Sequence, residues 1–339
     1  MVRVNFIVEG MGLARGSGVY SAASRLASFL RDEGVDVDIN GRGYTYDIMH
    51  SHTPLLFSLM KLRKAKKHGV KIITHAHTTA EDAKGSWTLT ESDSVLNMVG
   101  KYLTFFYNNA DLVLTPSQWT KETLMKRHVV KPIRVISNGI DREIFRFSRA
   151  GRKQFRDHYG ITGTETVVYC VGLIYIRKGI EQFVEVARRF PGVRFVWIGK
   201  RYPSFFIGFS KIAKILNGMP DNVHLLGYVD DIVAAHSGCD ALFFPSYVEN
   251  QGITVLEALA CGRPVVVRDL PSYRSWGFVH GQDCMMGSSV DNFTVHIENV
   301  IRDAKLRSRL ARNGSRHAER HDIRHVAAEL AEIYETLAD

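Results

Sequence analysis

Residues 241–268 read ALFFPSYVENQGITVLEALACGRPVVVR, and the order of patterns in this stretch decides the fold. An apolar run, Ala241–Pro245, gives way to a polar loop, a helical pattern opens near Gly252, and a second apolar run, Pro264–Arg268, follows. Each run is apolar on successive residues and too short for a helix. Such runs mark strands covered on both faces, as in parallel sheets.

The same alternation extends outward to both ends of the chain. Strands are predicted at Val2–Val8, Val35–Ile39, Tyr46–His50, Val70–His75, Asp111–Thr115 and Ile133–Ser137. Others are predicted at Thr166–Val171, Val193–Ile198 and Val223–Leu226, with helical segments between most of them. Repeated β-α-β order predicts open, doubly wound α/β sheets. The strands are too many for one comfortable sheet, and FRFSRAGRKQFR at 145–156 is a polar, basic break. The expectation is therefore two Rossmann-like parallel-sheet domains, 1–147 and 148–321, followed by a helical segment, 322–339. That last segment, with its helical stretch Ile323–Leu337, is long enough to cross back to the first domain. Ligands of open α/β sheets bind outside the carboxyl ends of the strands. The two domains are thus expected to face a cleft, with a hinge near Phe145.

With 339 residues, 45% hydrophobic and 23% charged, the composition is that of a globular protein and excludes disordered and collagen-like classes. No apolar run approaches the ~18–20 residues that span a bilayer. The opening MVRVNFIVEG reads as a buried strand rather than a signal peptide. Cys170, Cys239, Cys261 and Cys284 are widely spaced, as free core thiols of an intracellular protein would be. The net charge is +9, and residues 1–150 hold 21 Lys and Arg against 14 Asp and Glu. A basic first half points to an anionic partner. Charge alone speaks for nucleic acid, and no binding motif or aromatic–basic stacking pattern supports it.

Chemistry-bearing residues gather at predicted strand ends. Glu249 falls in the loop after one strand, and Glu257 lies more than a turn into the next helix. Backbone N–H groups around Asn250-Gln251-Gly252-Ile253 are placed to cradle a diphosphate. A carboxylate beyond them can accept two hydrogen bonds from a ribose diol. Taken as a bare pair, these are two solvated glutamates of an ordinary turn; the flanking Pro245-Ser246 and LEALACGRPVV favour a site. In Gly172-Leu-Ile-Tyr-Ile-Arg-Lys-Gly179, Arg177 and Lys178 stand just before a predicted helix start at Gly179, where cations neutralise phosphate. Gly16-Ser-Gly18 lets backbone approach a ligand closely, though it is not a G-x-G-x-x-G. His50, His52, His75 and His77 close two strands as a polar wall; no carboxylate spacing supports a metal there. Asp36-Val-Asp38 alternates out of a short strand and is read as structural. Lys61–Lys67 ends a helix that is apolar first and basic later, as a helix lying on anionic lipid would be. Arg201–Lys211 adds a second aromatic and basic segment.

With these residues in view, the chain resembles glycosyltransferase family 4, retaining enzymes of the GT-B fold, over essentially its whole length. Glu249–Glu257 is similar to the family's E-x7-E donor signature, Lys178-Gly179 to its phosphate loop, Asn138-Gly-Ile-Asp141 to its interdomain segment, and Gly16–Gly18 to its glycine loop. HAHTTAED, TPSQWT, GLIYIRKGIEQFVEVA and VVVRDLPSY look closest to the diacylglycerol glucosyltransferases within it. The resemblance implies that Glu257 binds the nucleotide ribose, Glu249 the sugar hydroxyls, and Lys178 with Arg177 the diphosphate. It implies that Gly172 opens the phosphate loop, that backbone at Gly227-Tyr228-Val229 reads the base, and that His77 lines the sugar near the reacting carbon. Leu173 stands where many members carry arginine, leaving Arg177 as its candidate substitute. Asn250-Gln251-Gly252 replaces the common Gly-Phe-Gly.

The implied reaction moves a hexose from a nucleotide diphosphate sugar, UDP-glucose foremost, to a lipid hydroxyl such as that of diacylglycerol or a diether analogue. The leaving phosphate helps take the acceptor proton, so no protein base is named; the alternative makes Glu249 a covalent nucleophile. No metal or other cofactor is expected. The basic first domain would dock on anionic lipid at the cytoplasmic face. Rival readings are a GDP-mannose-dependent mannosyltransferase, transfer to a soluble or polysaccharide acceptor, and a nucleotide-sugar epimerase.

Overall fold

A computed structural model describes residues 1–9, 18–84, 92–201 and 209–339. The chain divides into two units. The first is built on Met1–Glu81, Asp93–Gly139 and His321–Asp339, and Ile140–Arg320 forms the body of the second.

The first unit holds six parallel strands: β1 (Arg3–Ile7), β2 (Asp36–Ile39), β3 (Ile48–Ser51), β4 (Lys71–His75), β5 (Leu112–Thr115) and β6 (Ile133–Val135). Their order is β2-β1-β3-β4-β5-β6. Alternate residues feed opposite cores, as a period of two requires. Val4, Phe6, Ile48, Ile73 and Leu114 face one cluster, with the Gly18–Asp32 and Ile323–Ala338 helices. Ile7, Met49, Ile72 and Val113 face the other, with the Leu56–Lys67 and Asp93–Asn108 helices. Coverage on both faces explains why these strands read as continuous apolar runs.

The second unit repeats the plan with β7 (Val167–Val171), β8 (Arg194–Ile198), β9 (Val223–Gly227), β10 (Ala241–Phe244), β11 (Val265–Arg268) and β12 (Met285–Gly287). The order β12-β11-β10-β7-β8-β9 is that of a dinucleotide-binding sheet. Strand order therefore reverses between β7 and β10, and the loops leaving these neighbours flank the crevice where ligands of such sheets bind.

Four features differ from the sequence expectation. The basic break at 145–156 carries no unit boundary and is partly helical: Ser148 caps the Arg149–His158 helix by accepting from the Gly151 N–H at 2.9 Å. Arg156 of that helix is buried and donates to the Gly238 carbonyl at 2.9 Å. The first division between units falls at Gly139/Ile140 rather than 147/148, because Ile140 and Phe145 already belong to the second core. The second falls at Arg320/His321, one residue before the expected 321/322. Strand β12 is an addition; three residues, MMG, carry no periodic signal.

Candidate active site

The loop after β7 and the loop after β10 are zipped together. The Tyr247 N–H donates to the Arg177 carbonyl at 2.8 Å, and Arg177 Nη1 donates to the Val248 carbonyl at 2.9 Å. The helix expected at Gly179 begins one residue later, as Ile180–Arg188, after a short 3-10 turn over Ile176–Lys178. Gly179 is the cap between them at φ +80°, and a Cβ there would lie 2.6 Å from the Pro245 carbonyl oxygen. Only glycine permits both the left-handed backbone and this approach. Gly252 does the same for the Ile253–Ala260 helix, with φ +71° and the Tyr273 hydroxyl 2.8 Å from where a Cβ would lie.

The zipper brings Lys178 to Glu249. Lys178 Nζ donates to Glu249 Oε1 at 2.6 Å, Ser246 Oγ donates to the same oxygen at 2.6 Å, and Arg177 Nη1 stands 3.6 Å away. Lys178 also lies over the Phe244 ring at 5.0 Å. Glu249 is therefore not a loop carboxylate in water but buried and ion-paired. Burial works to raise its carboxyl; the Lys178 and Arg177 charges and the two hydrogen bonds outweigh burial and hold it below the ordinary value. Burial, and then the neighbouring Arg177, pull the Lys178 ammonium below its ordinary value against the opposing pull of Glu249. The result is a compact group of two cations and one carboxylate at the switch point.

The remaining donor-side residues lie around it. Gly172 directly follows β7 and its N–H donates to the Ile198 carbonyl at 2.8 Å. Asn250 and Gln251 are buried, and Ile253 opens the helix that carries Glu257. Val229 packs at the edge of the core just after β9, next to exposed Tyr228, whose ring carries Lys200 Nζ at 4.8 Å. Ser246 is a site residue legible only as part of a Pro-Ser pair. His236 and Tyr169, described below, gave no sequence signal.

In the first unit, β3 and β4 bring four imidazoles into one stack. His75 and His77 ring centroids are 4.0 Å apart, His50 and His52 4.3 Å, and His52 and His77 5.5 Å. His52 Nδ1 meets His77 Nε2 at 3.2 Å, and His50 Nδ1 meets the Tyr334 hydroxyl at 2.6 Å. Burial first, and mutual repulsion second, hold His50, His52 and His75 well below the ordinary imidazole range; burial alone brings His77 down to about 4. His77 is thus a neutral hydrogen-bonding group at pH 7. His50, His52 and His75 each offer a nitrogen within 4.8 Å of the others. A tetrahedral zinc site draws such atoms to about 3.3 Å, given Zn–N bonds of about 2.0–2.1 Å. Gly18 starts the Gly18–Asp32 helix, and Gly16 lies outside the described residues. Most of Arg201–Lys211 lies outside them as well. Asp36 pairs with Arg3 at 3.3 Å and Asp38 accepts from the Tyr46 hydroxyl at 2.7 Å, so both serve the sheet edge.

Two parallel six-stranded sheets, each doubly wound, define the class: this is an α/β protein of the GT-B fold. The sequence matches Glycosyltransferase Family 4 over residues 6–144 and Glycosyl transferases group 1 over residues 151–317. It is 34% identical over 294 residues to the processive diacylglycerol alpha-glucosyltransferase of Acholeplasma laidlawii, spanning 86% of this chain and 85% of that protein. It is 24% identical over 280 residues to the alpha-galactosylglucosyldiacylglycerol synthase of Streptococcus pneumoniae, spanning 80% and 74%. Anabaena HepE, solved with UDP and glucose, shares the fold at a TM-score of 0.81 and 16% identity over 99% of this chain and 100% of that one. Sucrose-phosphate synthase from Thermosynechococcus elongatus does so at 0.83 and 17%, over 99% of both chains. The chain belongs to glycosyltransferase family 4, and it is a hexosyltransferase.

Proposed function

We propose that the enzyme transfers glucose from UDP-glucose to a lipid hydroxyl, that of diacylglycerol or a diether analogue, with retention of anomeric configuration. The observation that carries the donor half is the Arg177–Lys178–Glu249 group at the β7/β10 switch point. Departure of the nucleotide leaves negative charge on the β-phosphate. Lys178, Arg177 and the N–H groups opening the Ile253–Ala260 helix are suited to stabilise it. With donor bound, the Lys178 ammonium is shared between Glu249 and phosphate. Glu249 orients the sugar hydroxyls, Glu257 the ribose, and backbone at Val229 the base. Neutral His77 is a hydrogen-bonding group suited to a sugar hydroxyl. The leaving phosphate takes the acceptor proton, and with two cations neutralising the diphosphate this reading requires no metal.

Relationship to the lipid-glucosylating Acholeplasma enzyme supports a lipid acceptor. No helix among the described residues is long and apolar enough to cross a membrane. The Leu56–Lys67 helix and the residue before it expose Leu55, Leu56, Phe57 and Met60, and the same helix exposes Arg63, Lys64 and Lys67. Apolar and basic groups on one helix suit peripheral docking on an anionic surface, here the cytoplasmic face.

The test is a donor screen. Radiolabelled UDP-glucose, UDP-galactose and GDP-mannose are each supplied with and without vesicles containing diacylglycerol or its diether analogue. Label from UDP-glucose entering the lipid phase, and lost in Glu257→Ala, is the expected result. Label entering from GDP-mannose instead reassigns the donor. Nucleotide release without lipid labelling moves the acceptor to soluble sugars or polymers.

A further inference from the structure

Glu257 sits on the Ile253–Ala260 helix, and behind it lies a buried pair that the reaction scheme does not use. His236, on the Ile232–Gly238 helix, and Tyr169, on β7, are both fully buried. The Tyr169 hydroxyl is 2.6 Å from His236 Nδ1. On the other side of the ring, His236 Nε2 is 3.5 Å from Glu257 Oε2. That nitrogen is buried and has no hydrogen-bond partner. The imidazole is walled by the edges of Tyr169 and Phe145, with centroids at 5.5 and 6.2 Å, which leaves it little room to turn.

We propose that Tyr169 and His236 are positioning residues that aim the Glu257 carboxylate at the ribose hydroxyls of the nucleotide. The proposal rests on the assignment of Glu257 to the ribose. A neutral imidazole carries one proton. If Nε2 held the lone pair, it would face a carboxylate oxygen and repel it. With the phenol donating to Nδ1, the ring proton sits on Nε2 and faces Glu257. Burial pushes the Tyr169 phenol well above its ordinary range, so it stays a donor. At 3.5 Å the Nε2–Oε2 contact is longer than a made hydrogen bond; contacts of this kind tighten when the ligand is in place. His236 then occupies Oε2, and Oε1 is turned to the diol.

The experiment compares binding of the preferred nucleoside diphosphate, UDP or GDP, with binding of its 2′,3′-dideoxy form. Both are measured by calorimetry on wild type, Glu257→Gln, His236→Phe, His236→Gln and Tyr169→Phe, with melting temperatures alongside. His236→Phe is expected to weaken the hydroxylated nucleotide about tenfold, the scale of one charge-assisted hydrogen bond, and to leave the dideoxy form unchanged. His236→Gln, which restores an N–H, should recover most of the loss. Tyr169→Phe should weaken binding with the same selectivity, and it keeps the test open if His236→Phe does not fold. His236→Phe in the Glu257→Gln background should add nothing further. Equal weakening of both nucleotides, or a fall in melting temperature with binding intact, overturns the proposal and leaves a core histidine. If Glu257→Gln itself spares both nucleotides, the ribose assignment fails and the proposal with it; if Glu257→Gln weakens binding and His236→Phe does not, the proposal alone fails.

Discussion

Lys178 and Glu249 lie far apart in sequence, yet their side chains meet at 2.6 Å, with 16% and 8% of their side-chain surface exposed. At that burial the pair has little water to screen it, and the charge on Lys178 is aimed rather than diffuse. In the proposed reaction, Lys178 and Arg177 stabilise the charge that develops on the leaving phosphate. Lys178→Ala is therefore expected to lower kcat about 10²–10³-fold at saturating donor, the usual effect of removing one preorganised donor. Single-turnover rates at saturating nucleotide sugar check it. Lys178→Ala also strands a buried carboxylate, a loss of about 3–5 kcal/mol by analogy with broken buried pairs. Because Arg177 remains at 3.6 Å, the measured loss should fall at the low end of that range. Denaturant midpoints separate this from the catalytic effect.

Two elements carry tests of their own. The turn into the Ile180–Arg188 helix has no room for a side chain at Gly179, where a Cβ would meet the Pro245 carbonyl at 2.6 Å and the φ is +80°. Gly179→Ala should cost more than the roughly 1–2 kcal/mol of a left-handed L-residue, because the two zipped loops must part. Gly192 has nothing within 4 Å of its Cβ position. Gly192→Ala should change stability by no more than about 1 kcal/mol, in the stabilising direction. Thermal melts of the two variants make the comparison.

On the Leu56–Lys67 helix, Lys61 donates to the Gly41 carbonyl at 2.9 Å, and Lys66, itself exposed, lies 3.5 Å from Asp111. Arg63, Lys64 and Lys67 are exposed. Reversing these three to glutamate should weaken binding to anionic vesicles by at least about 3 kcal/mol, at about 1 kcal/mol for each basic residue lost. Co-sedimentation at low salt measures it. Unchanged binding would remove this helix from the membrane surface.

At the scale of the molecule, the histidine stack makes the first unit acid-sensitive. His50, His52, His75 and His77 all have folded values below the unfolded value of about 6.5. Between the folded and unfolded values the unfolded chain binds more protons than the native one, so stability rises with pH there. It is fully present above about pH 6.5 and falls as the pH drops toward 4, by up to about 1.4 kcal/mol per pH unit for each histidine. The depressed Glu249 carboxyl adds its own loss below its ordinary range, in the second unit. Urea midpoints between pH 7.5 and 4.5 should show the fall beginning near 6.5. A flat profile down to pH 5 would mean that the stack accommodates protons without opening.

The sequence by itself determined eleven of the twelve strands described, their parallel character and the placement of Glu249 and Glu257 around a helix start. Those features are local: covered strands are apolar on successive residues, and loop-to-helix spacing is read directly along the chain. Only the tertiary structure decided which residues meet. Lys178 finds Glu249 because β7 and β10 are neighbours, and that adjacency exists only once the sheet has formed with its reversed order. His236 reaches Glu257, and the four histidines stack, through the same non-local pairing of elements. The unit boundary was hidden for a related reason. The basic surface of 145–156 reads as a break between domains, while the few buried groups within and just before it, Ile140, Phe145 and Phe155, commit the segment to the second core.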